Sequence, residues 1–288
     1  MRDEPMPGQV NKAKPEPSGA FVSWEEAVLW LRGQQDRAEL VRACYYDDPL
    51  LAAAERYRDS SEWLALRELL RDLPRGRALD VGAGRGISSY ALAADGWQVT
   101  ALEPDPSPVV GAGAVRQLAA QAGIAITVVE GECERLPFEE CAFDLVLIRQ
   151  ALHHARDLKR FCREAARVLR PGGVFLAARE HVISRRSDLG AFLDSHPLHK
   201  LYGGEHAYLL EEYLGAFRQA GLDASRVLAP YDSDINLYPG SRDQVKQRLA
   251  ARLGMTLPEF LFRRLAVPLL NRRDQTPGRL FTFMGVKR

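Results

Sequence analysis

The stretch that most constrains this chain is Leu79-Asp80-Val81-Gly82-Ala83-Gly84-Arg85-Gly86-Ile87. An apolar strand runs into three glycines at alternate positions and then into a helix. That order brings backbone N–H groups close to any ligand lying beyond the strand's end. Glycine is needed in such a turn because a Cβ would block the approach or forbid the φ values. The spacing discriminates between ligands. A dinucleotide fingerprint requires Gly-x-Gly-x-x-Gly, and Ile87 stands where its third glycine would be.

A second strand is expected over Trp97–Glu103, and it ends in an acid 17 residues beyond Gly86. A carboxylate there is placed to accept hydrogen bonds from both ribose hydroxyls of a nucleoside ligand. With this residue the sequence resembles the class I S-adenosylmethionine-dependent methyltransferases, in particular the small-molecule type that includes the ubiquinone-pathway enzymes. Their opening motif, an acid followed by Gly-x-Gly-x-Gly, is matched by Asp80, Gly82, Gly84 and Gly86, and their ribose acid by Glu103. Gly131-Glu132-Cys133-Glu134-Arg135-Leu136-Pro137-Phe138 resembles the family's adenine-side loop, with Glu132 where an Asp is usual. Phe143-Asp144-Leu145-Val146 resembles the fourth strand and Arg167–Gly173 the turn into the fifth. The likeness runs from about Arg77 to Gly221, and the four elements stand in the family's order.

The resemblance implies an α/β fold: a doubly wound, Rossmann-like sheet of seven strands, the last antiparallel. It implies S-adenosyl-L-methionine as cofactor, held by Asp80, Gly82, Ala83, Gly84, Gly86, Glu103, Pro104, Glu132, Cys133 and Arg149. Gly82 and Gly84 would allow close backbone approach, and Asp80 would orient the glycine loop or the amino acid moiety. Glu103 would take the ribose, and Glu132 with the Cys133 N–H the adenine edge. Arg149 would reach the cofactor carboxylate or an anionic substrate, or else snorkel from its strand end.

Four prolines lie within residues 1–19 among charges and glycines, a composition expected to give a disordered tail. A helical arm follows over 20–74, opened by the capping box Ser23-Trp24-Glu25-Glu26. Asp48-Pro49 reads as N-cap and first residue of a second helix, and Asp59-Ser60-Ser61-Glu62 starts a third. Residues 75–288 form the cofactor-binding domain, with strands expected at 77–81, 97–103, 124–130, 143–149, 173–179, 225–229 and 279–286. Helices are expected near 87–95, 107–122, 157–169 and 209–220, with a helical insertion at 232–278 between strands six and seven. Residues 184–206 lack periodicity and read as an irregular insertion hinged at Gly203-Gly204.

The net charge of +1 and the scattered arginines argue against nucleic acid, and no apolar run is long enough for a membrane. Four cysteines without Cys-x-x-Cys spacing suit a reducing cytoplasm. The partner is therefore expected to be a small-molecule substrate, with a homodimer compatible. All six histidines fall between positions 153 and 206, on the side where a substrate would sit. His206, beside Glu205 on the glycine hinge, is the first candidate proton acceptor, and His181 and Tyr208 are the next. One of His153-His154 is expected to tie the loop after the fourth strand. Asp194-Ser195-His196-Pro197-Leu198-His199 offers metal-type donors, but no further ligand stands in a fixed frame with them, so no metal is expected. Two other readings stay open, a nicotinamide-dependent oxidoreductase and a catalytically silent nucleoside-binding module.

Overall fold

The computed structural model describes residues 23–196 and 198–288; the tail expected over 1–19 lies outside them. Strands β1 (Arg77–Val81), β2 (Gln98–Leu102), β3 (Ile126–Val129), β4 (Phe143–Arg149) and β5 (Leu169–Ile183) run parallel. A two-residue β6 (Tyr208–Leu209) joins the far end of β5, and β7 (Leu222–Leu228) and β8 (Arg279–Lys287) complete the sheet. The spatial order is β3-β2-β1-β4-β5-β8-β7, with β8 antiparallel to both neighbours. Sequential strands run outward from β1 in both directions, so the carboxyl ends of β1 and β4 bound the crevice where such sheets take ligands.

Alternate strand residues bury opposite faces. Leu79, Val81, Val146, Ile148 and Phe175 pack under α7 (Leu158–Val168) and α10 (Leu210–Gln219), against Phe161, Tyr213 and Phe217. Ala78, Leu145, Leu147 and Leu176 pack under α3 (Leu50–Arg58), α4 (Ser61–Leu69), α5 (Ile87–Ala94) and α6 (Ala112–Ala122), against Tyr57, Trp63, Leu66, Ala91 and Leu118. Half of the N-terminal arm is thus a core layer. The other half, α1 (Trp24–Arg32) and α2 (Ala38–Ala43), packs on Leu198 and Leu201 through Ala27, Leu31 and Val41.

The expected Ser23–Glu26 capping box opens α1. Pro49 is the N-cap of α3 rather than its first residue, and Ser60 caps α4 by accepting from the Trp63 N–H. Helix α6 starts at Ala112, five residues later than expected, after a loop carrying Pro104, Pro106 and Pro108.

Three further expectations are corrected. Strand β5 does not stop at 179 but runs on to Ile183, because its polar residues Glu180 and His181 pair with Phe281 and Leu280 of β8. Residues 184–206 are not irregular: α8 (Asp188–Ser195) and α9 (His199–Tyr202) lie there, anchored by Phe192, Leu198 and Leu201. The sixth expected strand begins at Leu222 rather than 225. The insertion is helical as expected, with α11 (Asp234–Leu237), α12 (Arg242–Leu253), α13 (Glu259–Leu261), a π-helical turn at Phe262–Ala266 and α14 (Val267–Arg273). It is stitched to β5 by Arg179, which donates to the Ile235 and Tyr238 carbonyls at 2.6 and 3.1 Å.

Candidate functional site

A cavity of about 420 Å³ opens beyond the ends of β1, β2 and β4, a size ordinary for small-molecule sites. At one end its floor is the glycine turn. Gly82, Gly84 and Gly86 all have positive φ (69°, 53° and 82°). A Cβ on Gly84 would meet nothing nearer than the Val110 oxygen at 3.8 Å, so the space above it is open. A Cβ on Gly86 would press on the Val115 side chain at 3.0 Å, so this third glycine serves helix packing.

Glu103 closes that end. Its Oε2 accepts from the Gly84 N–H at 2.7 Å and its Oε1 from the Asp105 N–H at 3.0 Å. The carboxylate therefore holds the glycine turn in shape while lining the cavity. Burial pushes its pKa up to about 7, against the downward pull of those two backbone bonds. Asp80, fully inside, accepts from Ser89 Oγ at 2.6 Å and anchors α5 beneath the turn; burial raises it to about 6.

Of the residues expected to hold the cofactor, Gly82, Ala83, Gly84, Glu103, Pro104, Cys133 and Arg149 line the cavity. Asp80, Gly86 and Glu132 do not. Glu132 is exposed, whereas its neighbour Cys133 faces the site. Arg149 is committed elsewhere: its Nε and Nη2 donate to Glu62 at 2.5 and 2.9 Å, and its guanidinium lies over the Tyr45 and Tyr57 rings. Burial would push Glu62 up, but Arg149 and Arg179 hold it below the usual carboxylate range.

The roof was only partly legible. Trp24, Tyr45 and Tyr46 of the arm line the cavity. Arg85, inside the glycine motif itself, donates to the Tyr45 and Asp47 carbonyls at 2.7 and 3.0 Å and pairs with Asp48, so it ties the arm down over the turn. Strain collects here as well, since Tyr45 and Gln150 line the site at positive φ and Arg179 shares that conformation at the bulge in β5.

The other end is built of imidazoles. His153, His154, His181 and His196 line it together with Glu205. His153 is the loop tie: Glu180 accepts from its Nδ1 at 2.7 Å and from the Ala151 and His153 N–H groups. Burial alone would lower His153, yet Glu180 and Glu205 raise it to about 9. His181 and His154 each donate Nδ1–H to a backbone carbonyl, Gly278 and Gly204 respectively, at 2.7 and 2.9 Å.

Of the three candidate proton acceptors, only His181 reaches the cavity. The His206 ring lies edge-on against Tyr208 outside it, and the Tyr208 hydroxyl is spent on the Ala155 carbonyl. The Gly203-Gly204 turn has both residues at positive φ, 76° and 81°. It delivers Glu205, not His206, to the site. His196 and Glu205 are the residues that sequence reasoning underrated. The clustering of all six histidines was the signal available.

Comparison with known proteins is consistent with this geometry. A family model described as a methyltransferase domain matches residues 79–177. The 27-O-demethylrifamycin SV methyltransferase of Amycolatopsis mediterranei (strain S699) is 30% identical over 226 residues, covering 75% of this chain and 81% of that protein. The demethylmenaquinone methyltransferase of Mycolicibacterium gilvum (strain PYR-GCK) is 40% identical over 110 residues, which is 38% of this chain and 44% of that protein, so the match spans less than half its length. Among solved structures, geranyl diphosphate C-methyltransferase from Streptomyces coelicolor A3(2) superposes with a TM-score of 0.56 at 16% identity, covering 85% of this chain and 88% of that one. The [4+2]-cyclase SpnF gives 0.54 at 22% identity over 82% and 81%. One fold thus carries more than one reaction, and the assignment must come from the site.

Proposed function

Because the chain belongs to the S-adenosylmethionine-dependent small-molecule methyltransferases, we propose that it methylates a small metabolite held at the histidine end of the cavity. The observation that carries this reading is Glu103, buried at the cavity wall with one oxygen on the Gly84 N–H and the other on the Asp105 N–H. That arrangement fits a nucleoside: the turn leaves open space over Gly84, and the carboxylate beside it suits paired hydroxyl donors. The cofactor, when bound, supplies an activated methyl group.

The chain's own contribution is placement and exclusion of water. Gly82, Ala83 and Gly84 hold one flank of the cofactor, Glu103 and Pro104 the ribose side, and Cys133 the adenine side. Trp24, Tyr45 and Tyr46 cover both ligands. The acceptor meets the imidazoles, which orient its nucleophile, and His154, kept neutral by burial with its Nδ1–H on the Gly204 carbonyl, takes its proton where one must be lost. The apolar side chains Leu253, Met255, Phe260 and Leu265 are exposed on the insertion and would be available to a homodimer contact.

Calorimetry with S-adenosylmethionine, S-adenosylhomocysteine and NAD tests the cofactor assignment. The two adenosyl ligands are expected to bind and NAD not. Glu103→Ala should cost about 1.5–3 kcal/mol, or roughly ten- to a hundredfold in affinity. Gly84→Val should cost more, by filling the space over the turn. Unchanged affinity in both variants would remove the reading. Turnover on a panel of hydroxylated and amino metabolites separates an enzyme from a silent binding module.

A further inference from the structure

We propose that His181, His196 and Glu205 form a binding site for one divalent first-row transition ion at the acceptor end of the cavity. Three separate stretches of chain deliver these residues: strand β5, the end of α8 and the loop after the Gly203-Gly204 hinge. Their donor atoms lie within 4.8 Å of one another. Donors on a tetrahedral ion with bonds of about 2.1 Å stand about 3.4 Å apart, so a contraction of at most about 1.4 Å closes the site.

Each donor is already set up as a ligand. The His181 Nδ1–H is spent on the Gly278 carbonyl at 2.7 Å, which leaves the Nε2 lone pair facing the cavity. A ligating histidine characteristically donates its other ring N–H in this way. His196 Nδ1 is buried without a hydrogen-bond partner, and Glu205 Oε1 stands 3.7 Å away, too far for a hydrogen bond. An orphaned buried imidazole nitrogen beside a buried carboxylate is the environment an ion satisfies. The other Glu205 oxygen lies 3.3 Å from His153 Nε2, and His153 is in turn held by Glu180, so the carboxylate is steadied from behind.

The rings are held in place by packing. Phe192 stacks obliquely on both His181 and His196, at 4.7 and 5.4 Å between centroids. Any side chain at position 278 would collide with Phe192 at 2.1 Å, so Gly278 both accepts the His181 bond and clears room for the ring that orients it. Two buried carboxylates, Glu180 and Glu205, outweigh the one raised imidazole of His153 between them and leave the region the negative charge a dication needs. Two imidazoles and a carboxylate, without thiolate, suit Zn²⁺, Fe²⁺, Co²⁺ or Ni²⁺, and three protein ligands leave open positions toward the cavity.

Metal content is read on the full chain with neither cofactor nor acceptor present, so the test stands apart from the methyltransferase reading. Protein stripped with chelator and reloaded with Zn²⁺ should retain about one ion per chain after dialysis, and Co²⁺ loading should give visible ligand-field bands. His181→Ala, His196→Ala and Glu205→Gln should each weaken Zn²⁺ binding by more than about 100-fold, beyond what loss of an outer-shell partner costs. His199→Ala and His206→Ala should leave binding unchanged. His196, the most exposed of the three, gives the variant with least risk to folding, and circular dichroism confirms its fold. Zn²⁺ that fails to bind the wild-type chain, or that binds His196→Ala undiminished, overturns the site.

Discussion

Glu103 shows how much one side chain settles. It is a desolvated carboxylate raised to about 7 that braces the glycine turn. A raised acid favours the protonated form in the folded state. Its contribution to stability is therefore fully present below the unfolded value and is lost as pH rises through about 7. Ribose hydroxyls donate to the ionised form, so the cofactor works in the opposite sense and competes with the proton. Cofactor affinity should climb between about pH 6 and 8, approaching tenfold per pH unit on the acid side, and Glu103→Gln should flatten the profile. Calorimetry across that range, with a flat wild-type profile, would show that Glu103 does not read the ligand.

At the scale of elements, the Glu62–Arg149–Arg179 cluster joins α4, β4 and β5 in the interior. Glu62 is wholly buried, so Glu62→Gln leaves two buried guanidinium groups short of charge. It should destabilise by about 3–5 kcal/mol, read as a drop in the denaturant midpoint at unchanged slope. The sequence made the sheet legible because its apolar runs and glycine turns are local signals; β1 and β4 lie where expected. Strand β5 looked finished at Arg179 because polar residues normally end a buried strand. Here Glu180 and His181 continue it, paired to β8 about a hundred residues later, which no local pattern records. The same limit hid Arg149's partner, 87 residues away in the chain, and the convergence of His181, His196 and Glu205. His206 stands next to Glu205 in the sequence, yet of the two Glu205 alone lines the cavity.

Over the whole molecule, the roof of the cavity comes from two distant segments, α1–α2 and residues 198–205, which meet at the seam of Ala27, Leu31, Val41, Leu198 and Leu201. They should open and close as one body on the Gly203-Gly204 hinge. Amide exchange is expected to slow in both segments together when cofactor is added, and Leu31→Ala should speed it in both while leaving the sheet protected. Response in one segment alone would separate them. The floor and the roof also have different histories available to them. Most of the residues proposed to seat the methyl donor lie in 82–133, inside the stretch that matches the family model, whereas the arm and residues 181–205 lie outside it. The arm is tied to the glycine turn through Arg85, but substitutions among residues 181–205 can change which molecule is accepted while leaving Gly82, Gly84 and Glu103 as they are. A lineage built this way can explore new acceptors one roof residue at a time while its chemistry stays fixed.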